Sequence, residues 1–233
     1  MAMTGDTPGR IAAASVHVFT ALGTVTALLA AMAIVHKDWQ AMFAWLGLAL
    51  FIDGVDGTLA RRTEVKVRIP EFSGERLDWI IDYLTYVFLP AFALIEAGFI
   101  PGLWGIFLAA IMMITSLYHF CDLGNKSDDG NFVGFPAIWN IVAFYIFVFD
   151  PGLIVSSLVI LVLAALTFVP LKWVHPVRAK WARPVTLTVT VLASLAALLV
   201  MWTGFPANVW LQAILAVSAV YLIGISIAFG MAR

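Results

Sequence analysis

Eight apolar runs, most of them near twenty residues long, follow one another along the 233-residue chain, at 11–36, 39–60, 77–97, 101–120, 134–149, 151–170, 184–203 and 206–230. A helix rises about 1.5 Å per residue, so about 20 apolar residues cross a hydrocarbon core about 30 Å thick. No water is present there to satisfy backbone N–H and C=O groups, and a helix meets that demand within each run. Composition agrees, with 63% hydrophobic residues, 12% charged and mean hydropathy +1.00, against about 25% charged in an ordinary globular domain. The expected fold class is all-α, a polytopic membrane helix bundle of about eight transmembrane helices. The fifth run is short and reads equally as one long hairpin with the sixth. Pro101-Gly102, Pro151-Gly152 and Gly204-Phe205-Pro206 punctuate the turns.

The first run exceeds the roughly 7–15-residue core of a signal peptide and reads as a retained span. A lone cysteine, Cys121, excludes an internal disulfide framework and a cysteine-cluster metal site. The net charge of −1 gives no reason to expect a nucleic-acid partner. The distribution of charge says more. With the N-terminus in the cytoplasm, twelve of the thirteen Lys and Arg residues fall inside and only Lys37 outside. That asymmetry predicts an even number of spans with both termini cytoplasmic.

Four carboxylates break the apolar pattern. Asp53 and Asp56 lie in the cytoplasmic half of the second run, and Asp78 and Asp82 at the cytoplasmic start of the third. Spacings of i,i+3 and i,i+4 put each pair on one helix face. The two runs are antiparallel, and Asp53 and Asp82 both come out about 10 Å deep at 1.5 Å per residue. The pairs can therefore meet. Unpaired, four such groups would repel one another and cost roughly several kcal/mol to desolvate. Oxygen-only ligands without a His or Cys cluster point to a hard cation, Mg²⁺ or Mn²⁺. Four carboxylates suit two such ions about 3.5–4 Å apart, a clamp used in phosphoryl transfer. Gly57 and Ala60 continue the first face and Gly74 the second, leaving room for a ligand near the backbone. Arg61, one turn further on, can complement phosphate oxygens. The competing reading, that Asp53 and Asp56 merely end a span at an Asp-Gly turn, leaves the second pair unexplained.

Asp53-x-x-Asp56-Gly57-x-x-Ala60-Arg61 followed by Gly74-x-x-x-Asp78-x-x-x-Asp82 resembles the signature of the CDP-alcohol phosphotransferase family. The resemblance implies a six-span core at 1–170, to which 171–233 adds a basic cytoplasmic loop and two spans. It implies transfer of a phosphatidyl or similar group from a CDP-linked donor to an alcohol, with release of CMP. Asp53, Asp56, Asp78 and Asp82 are then metal ligands, with Asp82 also the catalytic general base. Gly57, Ala60, Arg61 and Gly74 become the nucleotide- and phosphate-binding surface. Two departures, the twelve residues between Arg61 and Gly74 and the two extra spans, are similar to bacterial members that condense CDP-diacylglycerol with choline. So are the stretches "VHVFTALG" (16–23), "RIPEFSGERLDWIIDYLTYV" (68–87) and "GFPAIWNIVAFY" (134–145). A homodimer in membrane lipid is also implied.

Choline's quaternary ammonium cannot donate an ordinary hydrogen bond, so its site calls for aromatic faces. Tyr83 and Tyr86, near Asp82, lead the candidates, followed by Trp79, Trp139 and Asn140. Most tryptophans and tyrosines in a membrane protein serve packing or interfacial belts. His17 merits a test because it falls within a family-like stretch, and Lys126 is a candidate contact to donor phosphate. Two alternatives stand beside this reading: another acceptor (serine, inositol or glycerol phosphate) and an ion-coupled transporter. A transporter usually carries its ionisable groups near the bilayer midplane rather than gathered at one side.

Overall fold

A computed structural model describes residues 7–122, 132–173 and 182–231. Lys126, Arg178 and Lys180 lie outside the described residues. The chain forms two compact units, Met1–Leu89 and Pro90–Arg233. The family-based division at 170/171 cuts the chain elsewhere.

In the first unit, α1 (Thr7–Val35) and α2 (Trp39–Arg62) are joined by three residues and pack along each other. So short a connection makes them antiparallel neighbours. Asp38 starts α2 by accepting the Ala41 N–H at 3.0 Å, which satisfies one of the orphan donors of a helix start. Arg61 and Arg62 occupy its last turn, where positive charge is favoured by the helix dipole. One turn of helix, α3 (Val65–Arg68), follows. Val65 packs with Ala13 and Val16 of α1, and Leu59, Ala60 and Ile69 close around them.

The third span begins at α4 (Gly74–Asp82), capped by Ser73 Oγ, which accepts the Arg76 N–H at 3.3 Å. It passes through a π-helical stretch, Tyr83–Phe88, and continues as α5 (Leu89–Glu96) into the second unit. The backbone signature is the Leu89 N–H bonding to the Leu84 carbonyl, an i→i−5 step in place of i→i−4. Thr85 Oγ1 donates to the Ile81 carbonyl at 2.9 Å where the register changes.

The second unit contains α6 (Gly102–Cys121), α7 (Trp139–Phe149), α8 (Gly152–Leu166), α9 (Arg183–Thr203) and α10 (Val209–Met231). α6 packs on α8, where Trp104 Nε1 donates to Ser157 Oγ at 2.9 Å. α9 packs on α10, with the Thr186 and Tyr221 hydroxyls 2.9 Å apart. Tyr145 on α7 donates to the Leu215 carbonyl of α10 at 3.0 Å. The one strand pair among the described residues, β1 (Phe132–Val133) antiparallel to β2 (Lys172–Trp173), closes the open end of the α7–α8 hairpin.

Among the described residues, six helices are long and apolar enough to span a membrane: Pro8–Val35, Trp39–Arg62, Gly74–Glu96, Gly102–Cys121, Arg183–Thr203 and Val209–Ala228. The all-α polytopic class is as expected from the sequence. The fifth and sixth runs differ in detail. α7 and α8 have 11 and 15 residues, about 16 and 22 Å of helix, too short to cross alone. Helix formation in the fifth run is delayed to Trp139, because the chain before it turns through left-handed φ at Gly134 (77°) and Ala137 (56°). The hairpin reading fits these two runs better than two full spans.

Candidate active site

Three of the four aspartates converge. Asp53 from α2 and Asp78 and Asp82 from α4 each bring one carboxylate oxygen within 4.8 Å of the other two, and all three are half-buried. The convergence follows from local rules. Asp78 and Asp82 share a face of α4, and α1 packs against both α2 and α4, holding the two acidic helices to a common partner. Oxygens on opposite sides of an octahedral Mg²⁺ shell, with bonds of about 2.1 Å, lie about 4.2 Å apart. The donor set and its spacing thus fit a hard divalent cation.

Asp56 has a different environment. It is 7% exposed, and its Oδ2 accepts a 2.7 Å hydrogen bond from Thr20 Oγ1 of α1, itself 7% exposed. A carboxylate so buried requires a donor, and α1 supplies it. Thr20 was not singled out from the sequence. It lies in the family-like stretch 16–23, but its pairing with a residue 36 positions away is not readable from spacing.

Tyr86, expected from the sequence as a choline candidate, stands against Asp53. Its phenol donates to Asp53 Oδ2 at 2.7 Å, and only 7% of the residue is exposed, so little ring surface is open to a ligand. The π-helical stretch helps to place it. An α-helix turns about 100° per residue, so each i,i+4 step overshoots a full turn by about 40°. A wider turn overshoots less, and Tyr86 stays nearer the face of Asp78 and Asp82. π-Bulges of this kind recur at functional sites.

The small residues divide by role. Beside Gly57 a Cβ would meet only Arg61 Nη1, at 3.5 Å, so that face is open. At Gly74 the same space is filled: a Cβ there would lie 2.7 Å from His17 Cε1. The His17 ring also leans on Phe72, centroids 4.5 Å apart, and its Nε2 has no partner among the described residues. Ala60 packs on the Ala13–Val16–Val65 cluster. Of the expected close-approach surface, Gly57 keeps open space, while Gly74 and Ala60 have packing reasons to be small. Arg61 is exposed and bonds Thr58 Oγ1 at 3.0 Å. Ahead of α4, Arg10 of α1 donates to Glu71.

Trp79 and Tyr83 are half-buried on the third span. Trp139 and Asn140 belong to the second unit. Trp139 is fully buried, its Nε1 donates to Ser116 Oγ at 2.8 Å, and Phe135 meets it edge-on at 4.8 Å. That is a packing environment with no exposed face for a cation. Asn140 is 7% exposed, and its Oδ1 accepts the Ile141 N–H at the start of α7.

No protein-family model matches the chain. Individual proteins do. The chain is 47% identical over 202 residues to a phosphatidylcholine synthase of Mesorhizobium japonicum, covering 87% of this chain and 72% of that protein. It is 39% identical over 213 residues to the phosphatidylcholine synthase of Rhizobium meliloti, covering 91% and 88%. The corresponding enzyme of Pseudomonas aeruginosa is 46% identical over 175 residues, covering 75% and 74%. Similarity of this extent reaches from the acidic helices of the first unit well into the second, and on it the chain belongs to the phosphatidylcholine synthase family.

Proposed function

We propose that this chain is a multi-pass membrane enzyme that transfers the phosphatidyl group of CDP-diacylglycerol to the hydroxyl of choline and releases CMP. The observation that carries the site is the convergence of Asp53, Asp78 and Asp82 within 4.8 Å, in a chain similar along most of its length to enzymes named for that product.

Mn²⁺ or Mg²⁺, two ions in this reading, would when bound neutralise the donor diphosphate and stabilise charge in the transition state. Asp53, Asp78 and Asp82 would hold the metal centre, and Asp56 would contribute the oxygen that Thr20 leaves free. The open face at Gly57 receives the cytidine and its phosphates, with Arg61 released from Thr58 to meet phosphate oxygens. Asp82 takes the proton of the choline hydroxyl. The hydroxyl oxygen then bonds to the phosphorus that carries diacylglycerol, and the bond from that phosphorus to the CMP oxygen breaks. Trp79 and Tyr83 are the remaining aromatic candidates for the ammonium.

The donor has its acyl chains in lipid and its nucleotide in water. A reaction centre just below the cytoplasmic surface serves both ends, and the concentration of basic residues on one side supports that orientation. Both termini in the cytoplasm, an inner-membrane location and a homodimeric assembly belong to the same proposal.

The test is CMP release by purified protein with CDP-diacylglycerol and Mn²⁺, with choline, serine, inositol, glycerol 3-phosphate or no acceptor, alongside Asp82→Asn. Choline-dependent release that vanishes in the variant is the expected result. Release with another alcohol overturns the acceptor, and folded protein inactive with all of them overturns the enzyme.

A further inference from the structure

The donor of the Tyr86–Asp53 hydrogen bond is a phenol, 7% exposed, on the same span as Asp78 and Asp82, and its acceptor is one of the three converging carboxylates. At 2.7 Å it is a well-formed O–H···O hydrogen bond. We propose that Tyr86 is a positioning residue for the metal centre, acting through Asp53 rather than through choline.

With Oδ2 engaged by the phenol, the Asp53 carboxylate is held in one orientation. Its Oδ1 and the remaining lone pair of Oδ2 are left to face a cation. The O–H dipole also points its positive end into a cluster of three acids, opposing their mutual repulsion before metal arrives. Groups that orient metal ligands in this way typically change metal affinity about 10–100-fold when removed. The π-helical stretch that starts at Tyr83 trims the drift of the i,i+4 step from Asp82 and keeps the phenol on the acidic face. A choline cage would use the ring face, which is buried here, and would have no need of the hydroxyl.

The inference rests on the metal-centre reading above, and the experiment separates the two. Mn²⁺ binding to wild type, Tyr86→Phe and Asp53→Asn is measured in detergent from the free-Mn²⁺ electron paramagnetic resonance signal, with folding followed by melting in chelator. Phenylalanine keeps the ring and its packing, so the metal-free protein should stay folded, its melting midpoint lowered only by the loss of one hydrogen bond. The expected result is Mn²⁺ affinity about 10–100-fold weaker in Tyr86→Phe. Its CMP release should shift to higher Mn²⁺ by the same factor and recover at saturating metal, with KM for choline unchanged there. Wild-type affinity in Tyr86→Phe overturns the inference and leaves the metal centre standing. A raised choline KM with unaltered Mn²⁺ affinity also overturns it, returning Tyr86 to the acceptor pocket. Wild type that binds no Mn²⁺ overturns the metal centre, and the inference falls with it.

Discussion

Gly74→Ala tests whether the glycine that begins α4 exists for a ligand or for α1. An ideal Cβ at this position lies 2.7 Å from His17 Cε1, whereas carbon atoms rest about 3.5–4.0 Å apart. The shortfall is about 1 Å against an imidazole already leaning on Phe72, so the ring yields only by giving up that contact. Overpacking of this size costs about 1–3 kcal/mol. Replacing glycine returns about 0.4–1 kcal/mol by restricting the unfolded chain. The net loss, about 1–2 kcal/mol, lowers the melting midpoint by about 2–4 °C per kcal/mol for a chain of this size. The assay is thermal melting of Gly74→Ala, His17→Ala and the double variant in detergent. Removing the ring should relieve the clash, so the double variant should be more stable than the two single losses predict, by about 1 kcal/mol of coupling. Zero coupling, or a Gly74→Ala protein as stable as wild type, refutes the packing argument. If stability is unchanged and only KM for CDP-diacylglycerol rises, Gly74 is nucleotide surface after all.

Chelation should abolish CMP release, and added Mn²⁺ or Mg²⁺ should restore it; activity that survives thorough chelation contradicts the acidic centre. Thr20→Val strips the buried Asp56 carboxylate of its hydroxyl partner and should destabilise by about 1–3 kcal/mol while lowering activity. Thr20→Ser should recover most of both, and equal loss in the serine variant would mean that the methyl group, not the hydroxyl, matters. The Glu71 carboxyl is held below the usual carboxylate range by its own backbone N–H and then by the hydrogen bond from Arg10. A pKa depressed by folding adds stability above the unfolded value, and that stability is lost as pH falls through the folded value. Glu71→Gln should therefore melt below wild type at neutral pH and converge with it in acid; a gap that persists in acid assigns Glu71 some other role.

The sequence alone determined the membrane class, the acidic motif and the two helices that carry it. These properties are local. Apolar runs near twenty residues long are helices in lipid wherever they stand, and i,i+3 or i,i+4 spacing decides which carboxylates share a face. The family motif was legible for the same reason, since its residues lie in two short stretches of adjacent spans. Tertiary structure decided what surrounds the acids. Thr20 reaches Asp56 only because α1 packs along α2. His17 fills the space beside Gly74, and Trp139 is enclosed by Ser116 and Phe135 rather than open to a ligand. Tyr86 follows Asp82 at i,i+4, but its bond to Asp53 crosses between spans, and a π-helical register that α-helical periodicity does not announce sets its phase. Spacing along one helix fixes the angle between side chains, but which neighbour receives them depends on how distant segments pack.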